Sequence, residues 1–379
     1  MSQADFNQSM AWLKTLAAKK REPRQPEKIM AFFAGRGLGG FVLENVVAAA
    51  LVRPFPRAYV VAIYKNSPPY REFITDCNPY LHSEMKADAD SDITFLLDWF
   101  DTGWAAPVKC PLPEWSERML HEPDLVLLPS MLSVDAARLA GLAEKPPVLR
   151  LSAGCEESLL AALEGHGVDP NEWFACLHVK EPNSGADDRP RRGADPRSYL
   201  PLLRHVALRQ GGQVVRIGAP GAFPLPEMEG VIDLAAAPFA EQAAAISRAR
   251  YFIGTDSGPV TLASAFKVPA AVTNALGYAK RVWNRGDVVL AKRIELPDGG
   301  VLNSREAFAR GLLEAPLPDG ARCRDNSTDQ LIAVADHMFE VTCGCDGWRP
   351  PAPETPPEEA RGLTLPLPMR DQPLVVFWE

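Results

Sequence analysis

The residues best suited to chemistry lie in YFIGTDSGPVTLASAFKVPAAV, residues 251–272. An apolar strand ends at Gly254, a polar turn runs through Thr255, Asp256, Ser257 and Gly258, and a helix opens between Pro259 and Thr261. This gathers backbone N–H groups and hydroxyls at the positive end of a helix dipole, where a phosphate or diphosphate is stabilised without a metal ion. The plain alternative is a strand-to-helix turn capped by Asp256 or Ser257.

Three further groups could serve the same sheet edge. FACLHVKEP ends a strand with His178 and Lys180, and the Gly/Pro-rich loop after it carries Arg189, Arg191 and Arg192. QVVRIGA ends with Arg216 and Gly218. Ligands of open α/β sheets sit outside such carboxyl ends. Alternatively, His178 is a satisfied structural histidine and the arginine run a solvated loop that Asp187, Asp188 and Asp195 partly neutralise. A second glycine-rich segment, Gly35-Arg36-Gly37-Leu38-Gly39-Gly40, follows the strand IMAFFA and precedes a helix. Its four glycines allow positive φ and close backbone approach to a ligand. It lacks the Lys-Ser/Thr ending of a Walker A loop.

Metal chemistry reads poorly. Cys323, His337, Cys343 and Cys345 supply ligand types without an established zinc spacing. DADSD at 88–92 lacks the preceding apolar strand of a metal-holding Asp-x-Asp motif, and reads as a solvated loop.

The elements that must position these residues alternate along the chain. From Ile29 short apolar runs (IMAFFAG, AYVVAIY, DLVLLPS, PVLRLS) are separated by helical stretches such as FVLENVVAAALVR. From Trp173 a second series repeats the pattern: FACLHVK, SYLPLLRHVALRQGG, QVVRIGA, VIDLA, FAEQAAAISRA, YFIGTDSG, TLASAFK and PAAVTNA. Brief apolar strands joined by helix-length crossovers are expected of parallel sheets. We therefore expect an α/β fold of two Rossmann-like domains with a cleft between them. Residues 1–28 form an N-terminal helix and linker, 29–170 the first domain, 171–345 the second and 346–379 a Pro-rich tail. The expected boundary lies between Gly165 and Glu172, where Gly-His-Gly and Asp-Pro-Asn interrupt the pattern. Phe6, Met10, Leu13 and Leu16 give the N-terminal helix an apolar face that packs on the body or rests on a membrane.

Length and composition bound the possibilities. At 379 residues the chain suits two domains of roughly 150 to 200 residues. The formal net charge of −8 argues against a nucleic-acid partner while leaving room for local basic pockets. The seven cysteines are odd in number and scattered, as expected in a reducing cytoplasm. The N-terminus shows no secretory signal, and no run reaches the ~18–20 apolar residues of a spanning helix. Any membrane contact is expected to be peripheral, at the inner membrane surface.

The DSGP segment resembles the DSGP-x-H-L-A motif of bacterial lipopolysaccharide heptosyltransferases, enzymes of the GT-B fold. There the loop contacts the diphosphate of a nucleotide-sugar donor. The resemblance places Asp256, Ser257, Gly258 and Thr261 at the motif positions, with Thr261 in place of the His. The wider chain is similar to bacterial glycosyltransferases found with surface-polysaccharide genes. The matching segments are Arg36 to Val42, Cys176 to Lys180, Arg216 to Gly218, Gly254 to Gly258, and Asp325 to Ser327, spread over roughly residues 30 to 340. Their order and spacing carry the similarity more than any one of them does.

This resemblance implies a glycosyltransferase that moves a sugar from a nucleotide-diphosphate sugar to a glycan, lipid-linked or small-molecule acceptor. It implies inversion and neither cofactor nor metal ion. By the same resemblance His178, Lys180, Arg192, Arg216, Gly218, Thr255, Asp256, Ser257, Gly258, Thr261 and Asn326 face the donor. Arg36, Gly37, Gly39, Gly40, Asn274, Gly277 and Tyr278 border the sugar or acceptor. Inverting transfer requires a general base for the acceptor hydroxyl. The heptosyltransferases have Asp near the position of Gly40 and the closer family often has His, so neither base carries over. Glu44, Asp98 or Asp101 in LLDWFDTGW, and Asp187 or Asp188 are the remaining candidates. Two alternatives stay open: a nucleotide-sugar hydrolase or epimerase on the same fold, and a catalytically silent GT-B partner subunit.

Overall fold

The computed structural model describes residues 26–35, 37–88, 93–94, 97, 122–129, 132, 148–182, 193–276, 286–302, 306–307, 310 and 317–343, with strand backbone at 362–365 and 375–378. The expected helix at 5–20, Arg36, Asp98, Asp101, the 183–192 loop with Asp187, Asp188 and Arg192, and Gly277 and Tyr278 lie outside them. The chain divides into two compact units, Met1–Arg150 and Leu151–Glu379.

The first unit holds a four-stranded parallel sheet of β1 (Lys28–Phe33), β2 (Tyr59–Lys65), β3 (Ser83–Ala87) and β4 (Leu125–Leu127), in the order β3-β2-β1-β4. Helix α1 (Leu38–Val52) crosses from β1 to β2, and α2 (Tyr70–Asp76) from β2 to β3. β1 and β2 are buried along most of their length, as continuous apolar runs in a parallel sheet must be. Met30, Phe32, Val61, Ile63, Ala87 and Leu97 form one packed cluster. The PVLRLS run forms no strand over its described residues, 148–152. Its Arg150 N–H instead bonds the carbonyl of Cys77, just past the end of α2.

The second unit begins with α3 (Ala153–Gly165), which packs on α5 (Phe239–Arg248) through an Arg248–Glu156 ion pair and a hydrogen bond between His166 Nε2 and Glu241 Oε2 at 2.8 Å. The chain thus divides before this helix rather than after it. Its parallel strands are β5 (Phe174–His178), β6 (Gln213–Ile217), β7 (Val231–Asp233), β8 (Tyr251–Thr255), β9 (Ala270–Ala275) and β10 (Val288–Ala291). β5 and β6 are joined by a 3₁₀ turn, Pro196–Tyr199, then α4 (Leu200–His205) and a π turn, Val206–Gln210, that ends on left-handed Gly211. Helix α6 (Gly258–Ala265) links β8 to β9.

Along the sheet the order is β7-β6-β5-β8-β9-β10, the 3-2-1-4-5-6 arrangement of a doubly wound fold whose order reverses between β5 and β8. A small antiparallel sheet of β11 (Arg293–Glu295), β12 (Val301–Leu302) and β13 (Arg322–Arg324) follows, then α7 (Thr328–Val341). Ser327 starts α7 with a capping box, accepting from Gln330 N–H while the Gln330 side chain accepts from Ser327 N–H. The chain returns in β14 (Gly362–Leu365) and β15 (Val375–Trp378), and β15 lies parallel to β10. No helix among the described residues is long and apolar enough to cross a membrane.

Candidate functional site

The site of the second unit is built at the reversal point. Strand β8 ends at Thr255, Asp256 is buried, and Ser257 starts α6 in extended conformation. Ser257 does not cap the helix. Its hydroxyl donates to the Thr255 carbonyl at 3.0 Å and lies 2.9 Å from His178 Nδ1, at the end of β5. This contact joins residues 79 apart across the pair of strands where the order reverses. With the Ser257 hydrogen on Thr255, the imidazole carries its proton on Nδ1 and donates to Ser257 Oγ, which leaves Nε2 as an acceptor. Burial, then the nearby charges of Arg216 and Lys180, pushes the half-buried imidazole down to about 4, so it is neutral at physiological pH.

The α6 terminus therefore has no side-chain cap from Ser257. Gly258 and Val260 are the first-turn residues with N–H groups to offer, because Pro259 has none. No acidic side chain occupies that turn. Gly254 is required for close approach: a Cβ there would lie 2.6 Å from the His178 carbonyl oxygen. The Lys180 N–H donates to Thr255 Oγ1 at 2.8 Å, which fixes the chain leaving β5 beside the turn. Thr261 is partly exposed on the second turn of α6. His178, Lys180, Thr255, Asp256, Ser257, Gly258 and Thr261 are therefore brought to one edge.

Other expected donor residues are held in structural bonds. Arg216 is buried and donates through Nη1 to both carboxylate oxygens of Asp233, at 3.1 and 2.9 Å. The two are paired in register on β6 and β7, and strand alternation puts them on the face of Leu177, opposite His178. Gly218 N–H donates to Gln242 Oε1 at 3.0 Å.

Asn274 and Asn326 are buried against each other. Asn274 N–H donates to Asn326 Oδ1 at 2.5 Å, and Asn326 N–H returns a bond to Asn274 Oδ1 at 2.7 Å. Asn274 has φ of +52°, a left-handed conformation that Asn tolerates and that breaks the strand's alternation. Its Nδ2 reaches the Tyr199 hydroxyl at 2.9 Å, and Tyr199 lies 2.7 Å from Thr273 Oγ1. Since the Thr273 hydroxyl donates to Gly254 O at 3.2 Å, Tyr199 donates to Thr273. Burial pushes the Tyr199 phenol up to about 12. This network sits directly beneath the β8–α6 turn, and sequence reasoning missed its Tyr199 and Thr273. It also missed Lys292, buried and bonded at 2.6 Å to both Asp325 Oδ1 and the Gly193 carbonyl. A lysine between two short strands carries no sequence signal for such a role.

In the first unit, helix α1 begins earlier than the glycine-rich loop suggested, so Gly39 and Gly40 belong to its first turn. None of the described glycines of this loop uses positive φ. The requirement is one of space at Gly35, where a Cβ would lie 2.5 Å from Phe41 N. Gly37 and Gly40 are exposed. Glu44, the only base candidate among the described residues, is buried and accepts from Gly35 N–H at 2.9 Å.

No family model matches this sequence, and no curated protein matches it. Two solved structures share its architecture. A family 9 glycosyl transferase from Veillonella parvula aligns with a TM-score of 0.54 at 13% identity, covering 83% of this chain and 97% of its own. The E. coli ADP-heptose LPS heptosyltransferase II aligns with a TM-score of 0.51 at 13% identity, covering 83% and 98%. At this identity the likeness is one of fold: the chain is an α/β protein of the GT-B architecture, with two Rossmann-like units.

Proposed function

We propose that the protein is a glycosyltransferase that takes a sugar from a nucleotide-diphosphate donor and transfers it, with inversion and without a metal ion, to an acceptor hydroxyl in surface-glycan or glycoconjugate synthesis. The observation that carries the reading is the uncapped α6 terminus at the β5/β8 reversal, where Ser257 is held by His178 instead of closing the helix. On a GT-B frame, that edge suits the donor diphosphate.

In the reaction, the acceptor oxygen forms a bond to the anomeric carbon as the bond from that carbon to the diphosphate oxygen breaks. The acceptor proton passes to a base, for which Glu44, Asp101, Asp187 and Asp188 are the candidates. Negative charge grows on the departing diphosphate. The Gly258 and Val260 N–H groups, the Ser257 and Thr261 hydroxyls and the Lys180 ammonium are the groups that would stabilise it there. A neutral His178 keeps Ser257 oriented without adding a charge of its own.

A thermal-shift series with UDP, GDP, ADP and CMP and their sugars, with and without EDTA, tests the donor site. A ligand at 100 times its dissociation constant should stabilise the protein by about 2.7 kcal/mol. A shift that survives EDTA, followed by turnover to a product of inverted anomeric configuration, supports the proposal. No shift with any nucleotide would overturn it. The capped state of Glu44 and the Gly at position 40 favour one second reading, a donor-binding GT-B partner that does not turn over. Tight nucleotide-sugar binding without product across many acceptors would select that reading.

A further inference from the structure

Lys292 places a buried ammonium at the carboxyl end of β10. It follows that strand directly and is 3% exposed. Its Nζ donates to the Gly193 carbonyl and to Asp325 Oδ1, both at 2.6 Å. A buried ion pair is costly to desolvate, and apolar side chains of similar volume usually stabilise a core as well or better. What an ammonium adds is direction, because its hydrogens hold two acceptors around one point.

Both acceptors stand on fixed backbone. Asp325 precedes Asn326, which exchanges two bonds with Asn274 and donates from Nδ2 to the Ala291 carbonyl at 2.9 Å. Gly193 has room for no side chain, since a Cβ there would lie 2.4 Å from the Pro182 Cα. The next residue, Ala194, donates its N–H to the Lys180 carbonyl at 2.9 Å, while Lys180 N–H donates to Thr255 Oγ1 at 2.8 Å. Both backbone groups of Lys180 are thereby held, one on the end of β8 and the other on the chain that Lys292 grips. In the sheet β10 stands third along from β5. One side chain thus ties the exit of β5 to a strand end that β5 does not touch.

We propose that Lys292 is a positioning residue for the donor diphosphate: by holding the Gly193 carbonyl it sets where Lys180 stands beside the β8–α6 turn. This rests on the donor reading of that turn and adds the device that fixes its cation. Lys292 touches no ligand in this role, and its effect passes through the backbone of Lys180.

Dissociation constants of UDP, GDP and ADP and of the matching nucleosides test this, measured on the full-length protein by calorimetry or, where binding is weak, by NMR titration. For the diphosphate that the parent binds, Lys292→Met should weaken binding at least tenfold and leave the matching nucleoside within twofold. A merely structural loss would weaken both alike. Lys180→Met should also weaken the diphosphate, and adding Lys292→Met to it should cost less than a further twofold, because the two residues act in series. Asp325→Asn removes the counter-charge with little change of shape, and stands in if Lys292→Met does not fold. It should weaken the diphosphate at least threefold and again spare the nucleoside. If the parent binds none of the three diphosphates, the donor reading fails and the proposal with it. If the parent binds one, the donor reading stands, and three results overturn the proposal alone: a variant that binds it as the parent does, equal losses for diphosphate and nucleoside, or an undiminished effect of Lys292→Met in the Lys180→Met background.

Discussion

In the β1–α1 turn the helix starts on Gly37, a residue with no side chain to cap it, and two buried charged groups hold Gly35 beside it, Glu44 on its N–H and Arg71 on its carbonyl. In the β8–α6 turn the helix starts on Ser257, which has a capping group but directs it to His178 and to the Thr255 carbonyl. Both helices start without a side-chain cap at the carboxyl edge of a parallel sheet. The difference lies in what each turn offers besides the dipole. The first offers bare backbone held in place by an arginine and a glutamate on the two sides of Gly35. The second offers hydroxyls and a neutral imidazole backed by a buried polar network, which suits a larger ligand with more than one hydrogen-bonding group.

The largest effects should come from the glycines that allow each turn to close. Gly254→Ala and Gly35→Ala each drive a Cβ to within 2.6 Å of backbone atoms. Each should cost about 3 kcal/mol in urea unfolding, at the upper end of overpacking penalties. A neutral result at Gly35 would break the comparison at the first turn, because close approach would not then be the reason for glycine there.

Next comes pH. The His178 imidazole has a folded pKa of about 4 against 6.5 for the free group. Between those values the unfolded chain binds a proton that the folded chain does not, so stability should fall as pH drops from about 6.5 towards 4. The loss is at most about 3 kcal/mol, and less to the extent that water reaches the ring. Melting temperatures measured from pH 7 to 4 should lose most of this slope in His178→Asn. An unchanged slope would mean that other groups carry it.

Ser257→Ala removes the hydroxyl from both of its bonds and should cost about 1–2 kcal/mol, while weakening the nucleotide-induced thermal shift. Loss of stability with an undiminished shift would make the serine purely structural. The smallest effect is expected at Gly37→Ser, which supplies the missing α1 cap. Since Gly is itself a tolerated cap, the gain should be only a few tenths of a kcal/mol, detectable as a small rise in the urea midpoint.

Much of the frame was legible beforehand. Brief apolar runs gave β1, β2, β5, β6, β8 and β9, and the strand–turn–helix pattern at 251–265 gave the α6 turn. PVLRLS failed because an apolar run becomes a strand only if a neighbouring strand has room for it, and its described residues bond the end of α2 instead. Arg216 resembled a free cation because its partner Asp233 is 17 residues away on another strand. Arg71 gave no warning: within YREFITD it looks like an ordinary exposed helix residue, and only the packing of α2 against the β1 and β2 ends buries it.

The sequence by itself determined the alternation of strand and helix, the glycines and proline of the two turns, and the residue types available at each strand end. These follow from local sterics and from periodicity over a few residues, which act wherever the segment finds itself. Only the tertiary structure decided that the β5 and β8 ends are neighbours, so that His178 meets Ser257. In the same way it decided that Asn274 turns left-handed into Asn326, and that Arg71 is buried against the Gly35 and Lys65 carbonyls. Such contacts join residues tens of positions apart through sheet order and register, and these are set by the packing of the whole unit.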